Sequence, residues 1–239
     1  MIRGVFFDLD DTLIGYAAAE EGALVAAWRE VYGEGCPVDA GALQAAAGAV
    51  YRERFGYGTP GYGALAEMPV ETLTRAVTID LLARFGIEGD VERLARAWAE
   101  AAGRLLAAEP GALETIAALR KAALRVGLIT NGPGAFQRAK LEMAAIAGCF
   151  DAIVIDTEFG HPKPDPRIFE HAAAAAGLKP AELAFVGNSL EADVAGARAA
   201  GWTAVWYNPR GEPLPEGIAP PDHTIRALAE VVRIAGVAE

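Results

Sequence analysis

The densest chemistry in the chain lies near its N-terminus, in Asp8-Leu9-Asp10-Asp11-Thr12-Leu13, directly after the apolar run Val5-Phe6-Phe7. Residues two apart in an extended segment point the same way. Asp8 and Asp10 are therefore expected to face one site at the end of a strand. In such a pair one carboxylate can attack phosphorus, while the other can give a proton to the leaving oxygen and later take one from water. Together they also form a hard, oxygen-rich site suited to Mg²⁺, and the cation offsets the repulsion between nucleophile and phosphate. Acids after a strand also serve simply to cap a loop or helix, and Asp-x-Asp alone does not decide between the two.

The elements that must position these acids follow from the rest of the pattern. Val126 to Ile129 runs into Thr130-Asn131-Gly132, Ala152 to Ile155 into Asp156, and Leu183 to Val186 into Gly187-Asn188-Ser189. Thr203 to Tyr207 ends at Asn208-Pro209. Continuous apolar runs, as opposed to alternating ones, indicate strands buried on both faces of a parallel sheet. Helical patterns lie between them at 112–122, 134–147, 166–176 and 191–200, the last followed by Gly201 as a C-cap. This alternation predicts an α/β fold, a doubly wound parallel sheet. Ligands of such sheets sit beyond the carboxyl ends of the strands, where Asp8, Thr130, Asn131 and Asn188 would gather.

Residues 16–107 break the alternation. Segments near 17–32, 39–54, 68–85 and 90–107 all read as helices, separated by Gly33 to Pro37, Gly56 to Gly61 and Gly86 to Asp90. The expected division is an α/β core of 1–15 and 108–239 and an inserted all-helical domain of 16–107.

In this order and spacing the motifs resemble those of the haloacid dehalogenase (HAD) superfamily, phosphatase branch, and the helical insertion resembles its C1 cap. The resemblance implies that Asp8 is the nucleophile, Asp10 the acid/base, and Thr130 a hydroxyl donor to the transferring phosphoryl group. It implies that Lys163, within His161-Pro162-Lys163-Pro164-Asp165-Pro166, steadies negative charge. It also implies that Gly187-Asn188-Ser189-Leu190-Glu191-Ala192-Asp193 completes a Mg²⁺ site made by Asp8, Asp10, Asn188 and Asp193. Leu9, Thr12, Thr130, Asn131 and Gly132 are the candidate phosphate contacts, through loop amides where the side chain has no donor. Each of the later segments has an ordinary structural alternative: a plain Asn-Gly turn, a solvated lysine, a helix N-cap. One departure stands out. Phosphatases of this branch usually carry Asp where this chain has Asn188. A carboxamide oxygen still binds Mg²⁺ but brings no charge. Metal-free haloacid dehalogenases carry Asn near this place yet generally lack the second acid, so Asp10 weighs toward the phosphatase. The alternatives kept are a 2-haloacid dehalogenase using Asp8 on carbon, a phosphomutase, and an inactive binding protein.

Composition bounds the partners. The net charge of -11 disfavours nucleic acid and anionic membranes, leaving a small phosphorylated molecule as the expected ligand and the oligomeric state open. Two cysteines, Cys36 and Cys149, make no disulfide framework, and without a long apolar segment the expected compartment is the cytoplasm. In the helical insertion Tyr16, Arg52, Arg54, Tyr57 and Tyr62 are candidate substrate contacts, with Gly56 to Gly63 as a substrate loop; Trp28, Tyr32 and Trp98 read as packing residues. His161, His171 and His223 show no metal-ligand spacing.

Overall fold

In the computed structural model, which describes residues 1–33 and 38–237, the run Gly4–Phe7 forms β1 without a single exposed residue. It lies at the centre of a six-stranded sheet with β2 (Arg125–Thr130), β3 (Ala152–Ile155), β4 (Leu183–Gly187), β5 (Thr203–Tyr207) and β6 (His223–Ile225), in the order β3-β2-β1-β4-β5-β6. Every pairing is parallel. The doubly wound parallel sheet expected from the apolar runs is thus present, and five of its strands coincide with those runs. The sixth, His223–Ile225, offers one buried residue out of three and so leaves no apolar run to detect.

Two compact units result. Unit 1 comprises Met1–Gly15, Ala108–Gly132 and Ala144–Glu239; unit 2 comprises Tyr16–Ala107 and Pro133–Met143. Within unit 1, β1, β2 and β4 are nearly fully buried and a cluster of rings packs on the sheet. Phe6, Phe169, Phe185 and Trp202 meet edge to face at centroid distances of 5.2–6.4 Å, a geometry the aromatic quadrupole favours. Gly127 leaves the space that the Phe6 ring fills. Unit 2 is helical among its described residues: α1 (Tyr16–Tyr32), α2 (Ala40–Phe55), α3 (Val70–Phe85) and α4 (Val91–Leu105) enclose Trp28, Leu43, Leu81, Leu94 and Trp98. Asp39 and Asp90 cap α2 and α4 by accepting from Ala42 and Arg93 amides, and Gly86 ends α3 in the left-handed conformation at φ 64°. The break at Gly33 to Pro37, with Cys36, lies outside the described residues beyond Gly33.

The remaining helices of unit 1 are α5 (Ala112–Lys121), α7 (Asp156–Phe159), α8 (Pro166–Ala176), α9 (Ala195–Ala199) and α10 (Glu230–Ile234); α6 (Gly134–Met143) belongs to unit 2. The sequence-based division put 133–143 in the core, because a helix between two sheet strands normally packs on the sheet. Here α6 packs with the helical unit, Lys140 Nζ lying 3.4 Å from the Tyr16 ring centroid and 4.7 Å from that of Phe136. The helix expected over 191–200 is divided into a π-helical turn, Leu190–Val194, and α9. No helix among the described residues is long and apolar enough to cross a membrane.

Candidate active site

β1 delivers Asp8 to the carboxyl edge of the sheet. The Asp8 amide still donates to Val186 O at 2.9 Å, one step past the strand. The chain then turns back on itself. Leu9 O accepts from the amides of Thr12, Leu13 and Ile14, and the Asp11 amide donates to Ile14 O at 2.7 Å. Asp11 takes a left-handed φ of 57° to make this turn, a conformation Asp tolerates better than most residues. Thr12 is thereby buried, its hydroxyl donating to Asp8 Oδ2 at 3.3 Å and standing 3.5 Å from Asn188 Oδ1. This hydroxyl, an expected phosphate contact, thus lies against both Asp8 and Asn188.

Lys163 is buried to 5% exposure between two carboxylates, its Nζ donating to Asp8 Oδ1 at 2.6 Å and to Asp193 Oδ1 at 2.7 Å. The Phe185 ring lies beneath it, with the centroid 5.0 Å away. Its backbone is fixed by Asn131, whose Nδ2 donates to Lys163 O at 3.0 Å while the Lys163 amide donates to Asn131 Oδ1 at 2.9 Å. The Asn131 side chain thus holds the lysine loop, whereas the phosphate contact expected of this residue is its backbone amide. Just beyond, Asp165 caps α8 with Pro166 in its first turn, which is why this Pro-rich segment holds one shape.

The electrostatics follow from burial. Desolvation raises the Asp8 carboxyl, Lys163 pulls it back, and Asp193 and Asp10 push it up again, leaving it near 7. Asp10 is therefore close enough to be felt by Asp8. Burial works against the Lys163 ammonium, but Asp193 and Asp8 outweigh it and the net shift is upward, so Lys163 stays charged.

β4 ends at Gly187, where any Cβ would lie 2.3 Å from Asp193 Oδ2. That missing side chain lets Asp193 fold under the strand end. Its Oδ2 accepts from the Ser189 amide at 2.9 Å and its Oδ1 takes Lys163. Asp193 was expected to ligate the metal. At 2% exposure its carboxylate also holds Lys163, through Oδ1. Ser189 also caps its turn by accepting from Ala192 N at 3.0 Å, so the N-cap alternative and the site are the same structure. Asn188 is exposed, its carbonyl held by Trp206 Nε1 at 3.0 Å.

Thr130 is buried at the end of β2, level with Ile155 of β3. The Gly132 amide, a candidate phosphate donor, instead donates to Asp156 Oδ1 at 2.7 Å, and Thr157 Oγ1 donates to Gly132 O at 2.8 Å. Asp156, Thr157, Phe185 and Trp206 were not picked out as site residues. Only Asp156, an acid ending an apolar run, gave a signal in sequence.

The set Asp8, Asp10 and Asn188 is all-oxygen, and Asp8 Oδ2 and Asn188 Oδ1 converge on one hydroxyl. Few, hard protein ligands suit Mg²⁺, which retains several waters. Among the described residues no group of three or more His, Cys, Asp and Glu side chains is arranged to hold a metal. In unit 2, Arg54 pairs with Asp80 at 2.7 Å, Tyr57 meets Tyr62 edge to face at 5.1 Å, and Trp28 and Trp98 are core. His161 and His171 both pack on the Phe159 ring.

The chain is 42% identical over 122 residues to the phosphoserine phosphatase of Thermus thermophilus, a match covering 51% of this chain and 49% of that protein; it thus spans about half the length of that relative. It is 30% identical over 214 residues to the glyceraldehyde 3-phosphate phosphatase of Methanopyrus kandleri, covering 86% of this chain and 83% of the relative. A 2-haloacid dehalogenase structure from Pseudomonas syringae is 28% identical, with a TM-score of 0.70 over 99% of both chains. A family model for haloacid dehalogenase-like hydrolases matches residues 2–201, and the chain belongs to that family.

Proposed function

We propose that the protein is a Mg²⁺-dependent phosphatase of the cytoplasm that hydrolyses a small phosphorylated metabolite through an aspartyl-phosphate on Asp8. The observation that carries this is Lys163, buried and bonded to both Asp8 and Asp193, beside a second acid, Asp10, that is electrostatically coupled to Asp8. Asp8 attacks phosphorus as the bond to the leaving oxygen breaks, and Asp10 supplies the proton that oxygen needs. Asp10 then takes a proton from water, whose oxygen attacks the phosphorus, freeing phosphate and Asp8. Lys163 holds Asp8 aligned and offsets charge throughout. Mg²⁺ held by Asp8, Asp10 and Asn188 would supply neutralisation of the phosphate charge. Relatives named as phosphatases for phosphoserine and glyceraldehyde 3-phosphate support a small phosphomonoester as substrate.

The test is hydrolysis of p-nitrophenyl phosphate with Mg²⁺ and then with EDTA. Turnover lost on chelation and regained on adding Mg²⁺ is expected. Halide release from a 2-haloacid without metal, and no phosphate release, would replace the phosphatase with the dehalogenase, the reading that Asn188 and the dehalogenase-like fold favour.

Two further outcomes concern the cation. Because metal-free Asp8 holds its proton up to about pH 7, Mg²⁺ must displace that proton. Its affinity should rise about tenfold per pH unit below 7 and level off above, as measured by calorimetry across pH 5.5–8.5; a flat profile would remove Asp8 from the site. Asn188→Asp adds a charge facing the same cation and should tighten Mg²⁺ about tenfold. In the metal-free protein the added charge meets Asp8 and should lower the melting temperature. Unchanged affinity would mean Asn188 is no ligand.

A further inference from the structure

Gly132 carries more restraint than a turn glycine needs. It is the last residue of unit 1 before the chain passes into unit 2 at Pro133, and it sits at φ 142°, in the region glycine favours. Both of its backbone polar groups are tied to consecutive side chains of another element. Asp156 Oδ1 accepts its amide at 2.7 Å and Thr157 Oγ1 donates to its carbonyl at 2.8 Å. Those side chains are buried, at 2% and 8% exposure, and open α7 directly after β3. β3 is itself paired to β2 by the rung Thr130↔Ile155. The three residues Thr130-Asn131-Gly132 are therefore fixed at three points: the sheet at Thr130, the lysine loop at Asn131, and the Asp156–Thr157 pair at Gly132. A buried carboxylate close to an anion-binding loop is electrostatically adverse for the anion. What it offers the loop is an acceptor for the Gly132 amide at 2.7 Å.

We infer that Asp156 and Thr157 are positioning residues, a two-point clamp on Gly132 that holds the Thr130–Gly132 loop in the shape that receives the phosphoryl group. The inference rests on the phosphatase reading for what the loop binds, and it assigns to α7 a role in phosphate affinity with no contact to phosphate of its own.

The experiment compares Thr157→Val, which keeps shape and loses the hydroxyl, with Thr157→Ser, which keeps the hydroxyl. Orthophosphate binding to the Mg²⁺-loaded protein is measured by calorimetry, alongside KM and kcat for p-nitrophenyl phosphate. Thr157→Val should weaken orthophosphate and raise KM about tenfold, because a buried carbonyl loses its donor and the loop relaxes. Thr157→Ser should stay within about twofold of the parent. If Thr157→Val does not fold, Asp156→Asn carries the test: its amide oxygen still accepts, more weakly, and a loss of about threefold is expected. Parent-like orthophosphate affinity in Thr157→Val (or in Asp156→Asn where that variant carries the test), or equal impairment of the Ser and Val variants, would overturn the clamp while leaving the phosphatase intact. A parent protein that neither binds orthophosphate nor cleaves the ester would overturn the phosphatase reading, and the clamp with it.

Discussion

Asp8→Asn is expected to lower turnover by at least about 10³-fold, the scale seen when a nucleophile is removed from a site whose other groups remain. The variant should nevertheless fold. Asp8 lies one residue past β1, its side chain touches Lys163 and Thr12, and the ring cluster under the sheet does not depend on it. The sign of the stability change follows from its raised carboxyl. With an ordinary value near 3.8 and a folded value near 7, the folded protein binds a proton that the unfolded chain does not between those limits. Stability from this group therefore falls as pH rises through that window. Above pH 7 the wild type carries a charge that burial disfavours, and a neutral Asn removes it. The melting temperature of Asp8→Asn at pH 8 should match or exceed that of the parent. Retention of most activity would remove Asp8 as nucleophile. Loss of activity together with collapse of the fold would make its role structural.

Asp10→Asn differs in kind, and the contrast separates the two acids. With Asp8 intact, esters with good leaving groups still transfer phosphoryl to it, because such leaving groups need no proton.

The fold was legible where one physical cause acts locally. A strand buried on both faces must be apolar along its length, so β1 to β5 showed as runs, and their polar ends marked the edge where Asp8, Thr130 and Asn188 stand. β6 was not legible because one buried side chain in three makes no pattern. The inward turn at Leu190–Val194 was not legible either, since Glu191 to Ala200 has an ordinary helical composition. What changes the winding is the placement of Asp193 beneath Gly187, where a glycine in β4 and an acid six residues later share a space.

The site was legible as residue types and not as partners. Asn131 and Gly132 have the composition of a plain turn, and a turn is present. Yet the Asn131 carboxamide goes to Lys163, 32 residues on, and the Gly132 amide to Asp156, 24 residues on. Those distances are set by strand order, which places β3 beside β2 and β4 beside β1. Local pattern names the donors; only the topology assigns their acceptors. Asp193 illustrates the same point: an acid at a metal-site spacing is also the second counter-charge of a buried lysine.

That arrangement gives the second large effect, for Lys163→Met. Its ammonium sits 2.6 Å from one carboxylate and 2.7 Å from another, with all three groups largely removed from water. Methionine fills a similar volume over the Phe185 ring but leaves Asp193 buried, uncompensated, with only the Ser189 amide as partner. Removing one member of a buried pair costs roughly 3–5 kcal/mol, so the melting temperature should fall by roughly 10 °C and turnover by about 10³-fold or more. Stability and chemistry are then separable. Asp193→Asn alone should keep the Ser189 contact, loosen Lys163 and lower turnover more mildly. Adding Asp193→Asn to Lys163→Met removes the stranded charge, and most of the lost stability should return while activity does not. The double-mutant cycle, read by thermal unfolding at pH 8 and by ester hydrolysis, measures the coupling directly. A Lys163→Met protein as stable as its parent, or a double variant no more stable than Lys163→Met, would show that the Lys163–Asp193 pair does not stabilise the fold. Return of activity in the double variant would show that Lys163 serves only to balance Asp193, and its place beside the nucleophile would need another explanation.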